Sequence, residues 1–145
     1  MMLATAESCT GGWISEAVTM VPGSSDWFER GFVTYTYISK REMLGVREAT
    51  LEKHGAVAEE VVREMAEGAL ARSHAQIAVA VSGIAGPSGG TPEKPVGTVW
   101  LAARYGFDTY ALLRIFPGDR GEIRARAAQA ALDLLRRLLG GKGTR

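Results

Sequence analysis

The sequence has little of what metal centres, disulfide frameworks and membrane anchors are built from. Among 145 residues there is one cysteine, Cys9, and there are two histidines, His54 and His74. One cysteine cannot close an internal disulfide, and these three residues have no zinc-type spacing, so neither a metal nor another cofactor is expected. The missing disulfides suit a reducing cytoplasm, the expected compartment. No apolar run approaches the roughly 20 residues that a membrane-spanning helix needs. The opening residues lack the basic start and long apolar stretch of a signal peptide. Charge of one sign is also scarce: 17 Lys and Arg face 16 Asp and Glu, a formal net charge of +1, so nucleic acid is not an expected partner. The GxxxxGK[ST] and GxGxxG phosphate loops are both absent.

What is there is the balance of a globular domain, 46% hydrophobic and 23% charged residues, in a length that suits one sizeable core. A single domain is expected over residues 1–139, with residues 140–145 as a flexible tail. The chain is organised around Thr5-Ala6-Glu7-Ser8-Cys9-Thr10-Gly11-Gly12. This stretch follows an apolar run and precedes an amphipathic one, which predicts a strand-to-helix turn. Such a turn exposes backbone N–H groups, and paired glycines let a ligand come close. Ser8, Cys9 and Thr10 place two hydroxyls and a thiol in a row there. A capped helix start, with Thr10 or Ser8 as N-cap, is the simpler reading of the same residues.

Met1 to Ala6 reads as a buried first strand. A domain opening on a core strand is expected to leave apolar surface that a homo-oligomer covers. Helices are predicted over Gly12 to Val21, roughly Glu48 to His54, Ala58 to Ser73 and about Asp119 to Leu139. A short one is predicted from Lys40 to about Leu44, with Ser39 as N-cap and Glu42 completing a capping box. Further strands are predicted over Gly31 to Tyr37, Gln76 to Val81, Thr98 to Ala103 and Thr109 to Phe116. Alternation places Tyr35 and Tyr37 on one face of the first of these. Gln76 to Val81 is almost continuously apolar, as a strand buried on both faces is. A second glycine-rich loop, Ser82 to Thr91, leaves its end. The last two strands are joined by about five residues, too few for a parallel crossover, and should pair antiparallel. These elements predict an α/β fold, a three-layer α/β/α sandwich on a mixed, mostly five-stranded sheet.

Ser8, Tyr35 and Lys40 are the candidate catalytic set. A serine hydroxyl needs a base to become a nucleophile. His54, closing a short helix before Gly55, and His74, past a helix end, are poorly placed for that. A lysine can serve when its amine is neutral. The start of a helix, the like charge of Arg41 and burial all favour the neutral form of Lys40, although a solvated lysine is the commoner fate at a helix start. Tyr35, five residues earlier, is placed to relay a proton or hold the amine; as a strand aromatic it needs no such role. Cys9 reads as a small buried thiol. Thr10, Gly11 and Gly12 in the first turn, and Ser82, Gly83 and Gly86 in the second, suit a phosphate or a developing oxyanion. Each glycine also has a simpler reading in turn geometry. Lys94 and Arg120 are possible counter-charges, and Asp119 is more simply an N-cap.

Six segments then identify a resemblance. They are Ala6-Glu7-Ser8-Cys9-Thr10-Gly11-Gly12, Trp27-Phe28-Glu29-Arg30-Gly31-Phe32-Val33-Thr34-Tyr35 with Lys40, Gly55-Ala56-Val57, Ser82-Gly83-Ile84-Ala85-Gly86-Pro87, Lys94-Pro95-Val96-Gly97-Thr98-Val99 and Gly118-Asp119-Arg120. In order, and across nearly the whole chain, they resemble the CinA C-terminal domain, whose enzymatic members are nicotinamide mononucleotide amidohydrolases. The resemblance implies hydrolysis of the carboxamide of a small-molecule mononucleotide to nicotinic acid mononucleotide and ammonia. It implies Ser8 as nucleophile, with Tyr35 and Lys40 as activating partners, and no metal. A non-catalytic nucleotide-binding or interaction module on the same fold is the alternative, and ammonia release separates the two.

Overall fold

The computed structural model describes residues 1–141. In chain order its elements are β1 (Leu3–Glu7), α1 (Trp13–Thr19), β2 (Phe28–Val33), α2 (Tyr37–Leu44), α3 (Glu48–His54), α4 (Glu59–Ala71), β3 (Ile77–Gly83), β4 (Thr98–Tyr105), β5 (Asp108–Ile115) and α5 (Arg120–Gly141). The sheet runs β2-β1-β3-β4-β5. β1 is parallel to both β2 and β3, while β3, β4 and β5 form an antiparallel meander.

Alternation along the central strands sorts side chains onto two faces. Leu3, Val79, Val81 and Leu101 meet Ile14 and Val18 of α1 and Ile123, Ala127 and Leu134 of α5. On the other face Ala4, Ala6, Ala78 and Ala80 meet Val61, Val62, Met65 and Ala69 of α4, with Leu44 of α2 and Leu51 of α3. Small alanines let α4 lie close to the sheet. Gly68 brings α4 against the end of α2, where a Cβ would lie 1.8 Å from the Leu44 carbonyl oxygen. The expected three-layer sandwich with a mixed sheet is therefore the observed one. An apolar cavity of about 320 Å³ opens between Leu3, Val18 and Trp27 on one side and Leu132, Leu135 and Leu139 of α5 on the other.

Several boundaries differ from expectation. β2 ends at Val33, and Tyr37 is the first residue of α2 rather than a strand residue. The cause is a capping box one turn earlier than predicted. The Thr36 hydroxyl accepts the Ser39 N–H at 3.1 Å, and the Ser39 hydroxyl accepts the Thr36 N–H at 3.0 Å. Tyr35 and Tyr37 therefore share no strand face. α1 is shorter than predicted, and its N-cap is Gly12 in a left-handed conformation (φ 108°), not Thr10 or Ser8. α5 continues through Gly141, so two residues of the expected tail are helical; the rest of that expectation, residues 142–145, lies outside the described residues.

The chain leaves β1 toward β2 on one side and returns to β3 on the other. The C-terminal end of β1 is thus a topological switch point, where open α/β sheets hold ligands. Ser8 is the first residue beyond it.

Candidate active site

The turn after β1 is built around Glu7, whose side chain is fully buried. One carboxylate oxygen accepts the Thr10 hydroxyl and the N–H groups of Gly12 and Ile14, at 3.2 and 2.9 Å for the amides. The other accepts the Ser15 N–H at 2.9 Å and the Ser15 hydroxyl at 2.8 Å. Five donors and the start of α1 compensate the burial of this charge. The Gly11 N–H is bound to the Ser8 carbonyl at 3.1 Å. The amides of Gly11 and Gly12 and the hydroxyl of Thr10, which the sequence offered to an anionic ligand, are thus engaged within the protein. An acidic residue directly before a helix-opening turn was the available signal for Glu7.

From the opposite side, Arg124 of α5 donates to the carbonyls of Cys9 and Thr10 at 2.9 and 3.0 Å and lies 5.4 Å over the Trp13 ring. Nothing in the local sequence pairs Arg124 with a turn more than a hundred residues away.

Ser8 continues the ladder, its N–H bound to the Val81 carbonyl at 3.1 Å, and the Thr34 N–H is bound to the Glu7 carbonyl at 2.8 Å. Alternation from Ala6, Phe32 and Ala80 puts Ser8, Thr34 and Ser82 together on the α2/α4 face. Into that row α2 delivers Lys40, fully buried. Its Nζ is 2.9 Å from Ser8 Oγ, 2.7 Å from the Thr34 carbonyl oxygen and 3.5 Å from the Tyr35 carbonyl oxygen. Burial lowers the Lys40 amine from 10.5 to about 8. Of the causes expected from sequence, burial is the one that acts. Lys40 is the fourth helical residue rather than the first, and Arg41 faces Glu48 at 3.5 Å. A neutral amine has two N–H donors and one lone pair. The two carbonyls can take the donors, leaving the lone pair for the Ser8 hydroxyl.

The Tyr35 side chain is 59% exposed. Its hydroxyl accepts from Arg120 Nη2 at 3.1 Å, while Arg120 Nη1 donates to the Gly86 carbonyl at 2.7 Å. Tyr35 thus approaches Lys40 through its carbonyl, and its hydroxyl belongs to a rim that joins the β2–α2 corner to the second glycine loop. Gly83 has a packing reason, since a Cβ would lie 2.8 Å from Val99 Cγ2. Lys94, a suggested counter-charge, donates to the His54 carbonyl at 2.6 Å. Asp119 is the N-cap of α5, accepting the Glu122 N–H at 2.9 Å. Burial pushes the Cys9 thiol up to about 11, so it stays protonated where Lys40 titrates. His54 faces Glu60 at 3.6 Å. Among the described residues, no group of three or more His, Cys, Asp and Glu is arranged to hold a metal ion, and no helix is long and apolar enough to cross a membrane.

Known proteins are similar to this chain in sequence and in fold. The chain is 55% identical over 132 residues to "Nicotinamide-nucleotide amidohydrolase PncC" of Escherichia coli K12, covering 90% of this chain and 80% of that protein. It is 59% identical over 130 residues to a "CinA-like protein" of Akkermansia muciniphila, covering 89% of this chain but spanning only 31% of that protein's length. Among solved structures, the competence/damage inducible protein CihA from Agrobacterium tumefaciens matches with a TM-score of 0.90 and 50% identity, over 93% of this chain and 83% of that one. The family model described as the CinA C-terminal domain matches residues 1–139, and the chain belongs to that family.

Proposed function

We propose that this chain hydrolyses the carboxamide of nicotinamide mononucleotide, with Ser8 as nucleophile and Lys40 as its base. The observation that carries this reading is the buried Lys40 amine 2.9 Å from Ser8 Oγ, in a chain 55% identical to a named nicotinamide-nucleotide amidohydrolase. Lys40 takes the Ser8 proton as Oγ attacks the carboxamide carbon. It returns that proton to the departing nitrogen, and ammonia leaves an ester on Ser8. Water then attacks the ester with Lys40 again as base, releasing nicotinic acid mononucleotide and restoring Ser8. In this reading Tyr35 and Arg120 form the mouth of the site. Arg120 and the loop from Ser82 to Thr91 meet the 5′-phosphate, in place of the engaged amides of Gly11 and Gly12.

Purified protein mixed with nicotinamide mononucleotide should release ammonia and nicotinic acid mononucleotide. Binding of the mononucleotide without ammonia would contradict this reading and support a non-catalytic module.

A further inference from the structure

We infer that the Thr34 hydroxyl is a positioning group for Lys40, idle while the amine is neutral and holding one of its N–H groups once it has taken the Ser8 proton. This deepens the serine–lysine reading above and rests on it. Among the described residues, Thr34 Oγ1 is the one buried side-chain nitrogen or oxygen without a hydrogen-bond partner. An orphaned buried hydroxyl costs stability, so its retention calls for a reason.

Its placement supplies one. Thr34 shares the α2/α4 face with Ser8, and its own carbonyl is 2.7 Å from Lys40 Nζ. A neutral amine has two N–H groups, which the Thr34 and Tyr35 carbonyls can take, and no donor is left for the hydroxyl. When Ser8 Oγ bonds to the carboxamide carbon, the electron pair of the C=O double bond moves to its oxygen and the Ser8 proton moves to Lys40. The amine then has three N–H groups, and Ser8 Oγ is no longer a free hydroxyl. The Tyr35 carbonyl, at 3.5 Å, is at the limit of hydrogen bonding. One N–H must also point at the leaving nitrogen. This role requires rotation of the Thr34 side chain between staggered positions to present its hydroxyl oxygen to the ammonium as an acceptor, leaving that last N–H free for transfer. The other ionisable groups here are Cys9, whose thiol is protonated in this range, and Glu7, whose carboxylate faces α1.

The test compares wild type with Thr34→Val, which keeps the shape and removes the hydroxyl, and Thr34→Ser, which keeps the hydroxyl. Thr34→Val should melt at or above the wild-type temperature, yet show kcat lowered at least tenfold with KM within twofold. In a Ser8→Ala background, where the serine oxygen can no longer accept, Thr34→Val should also make the Lys40 amine, followed by NMR of the lysine side chain, titrate at lower pH, because the ammonium form has lost an acceptor. Thr34→Ser should restore both. Should Thr34→Val fail to fold, Thr34→Ala is measured in its place. A folded variant without the hydroxyl that keeps wild-type kcat or an unshifted Lys40 titration overturns the inference. If wild type releases no ammonia, the functional reading fails, and the Lys40 titration alone still decides the role of Thr34.

Discussion

Lys40 Nζ and Ser8 Oγ stand 2.9 Å apart, joined across the end of β1 from elements 32 residues apart in the chain. The strand sets the serine on the α2/α4 face, and the capped start of α2 sets the lysine beneath it. Because Lys40 is fully buried, its amine is shifted toward neutrality without a charged neighbour to push it.

This makes activity depend on pH in one direction. The amine is held at about 8, down from 10.5, by burial, and only its neutral form can accept the Ser8 proton. The value of kcat/KM should therefore rise with pH through a midpoint near 8 and flatten above it. Lys40→Arg keeps the charge and cannot deprotonate, so it should lower kcat by about 10²–10⁴-fold while circular dichroism remains native. A flat profile between pH 6 and 9 would count against the assignment.

The same burial should cost stability. Below pH 8 both folded and unfolded chains hold the Lys40 proton, and the folded chain carries the full penalty. Between pH 8 and 10.5 the unfolded chain binds more protons, so stability rises with pH and the penalty disappears. A shift of this size corresponds to about 3 kcal/mol, reduced by the hydrogen bonds that the amine makes. Lys40→Met, similar in volume, should be inactive yet about 1–3 kcal/mol more stable than wild type at pH 7. That advantage should shrink as denaturation is repeated at pH values approaching 10.5.

Glu7 should behave in the opposite sense. Its carboxylate gathers five donors in the turn that carries Ser8. Glu7→Gln replaces acceptor oxygen with an NH₂ group facing donors. A loss of about 3 kcal/mol or more in urea denaturation is expected. A variant of wild-type stability would mean that these contacts contribute little.

The phosphate should matter for turnover. With Arg120 at the mouth of the site, nicotinamide riboside should have kcat/KM roughly ten- to a hundredfold below the mononucleotide, since charge-assisted contacts are worth ~1.5–3 kcal/mol. Arg120→Met should narrow that difference. Equal values for the two substrates would remove the phosphate from the account.

Much of this was legible in the sequence, for unequal reasons. The alternation and apolar runs of β3, β4 and β5 and the stripe of α4 are local signals, and they marked the layers correctly. The short helix expected over roughly Glu48 to His54 is found there, with Gly55 as its C-cap. Gly31 to Tyr37 misled because its β-branched and aromatic residues have strand propensity throughout, while the cap at Thr36 overrides that propensity over its last residues. Burial is among the causes expected for Lys40 from the sequence, but its completeness is not encoded by the hydrophilic neighbours Ser39 and Arg41. It follows from where α2 packs across β1. The engagement of Glu7 with α1, of Arg124 with the Cys9 and Thr10 carbonyls, and of Tyr35 with Arg120 are tertiary pairings that no local spacing encodes.

The most direct test of the central claim is mass spectrometry of protein quenched during turnover of nicotinamide mononucleotide. The account predicts an acyl ester of nicotinic acid mononucleotide on the peptide containing Ser8, absent in Ser8→Ala and retained in Cys9→Ala. An adduct borne by Cys9, or full turnover by Ser8→Ala, would contradict it.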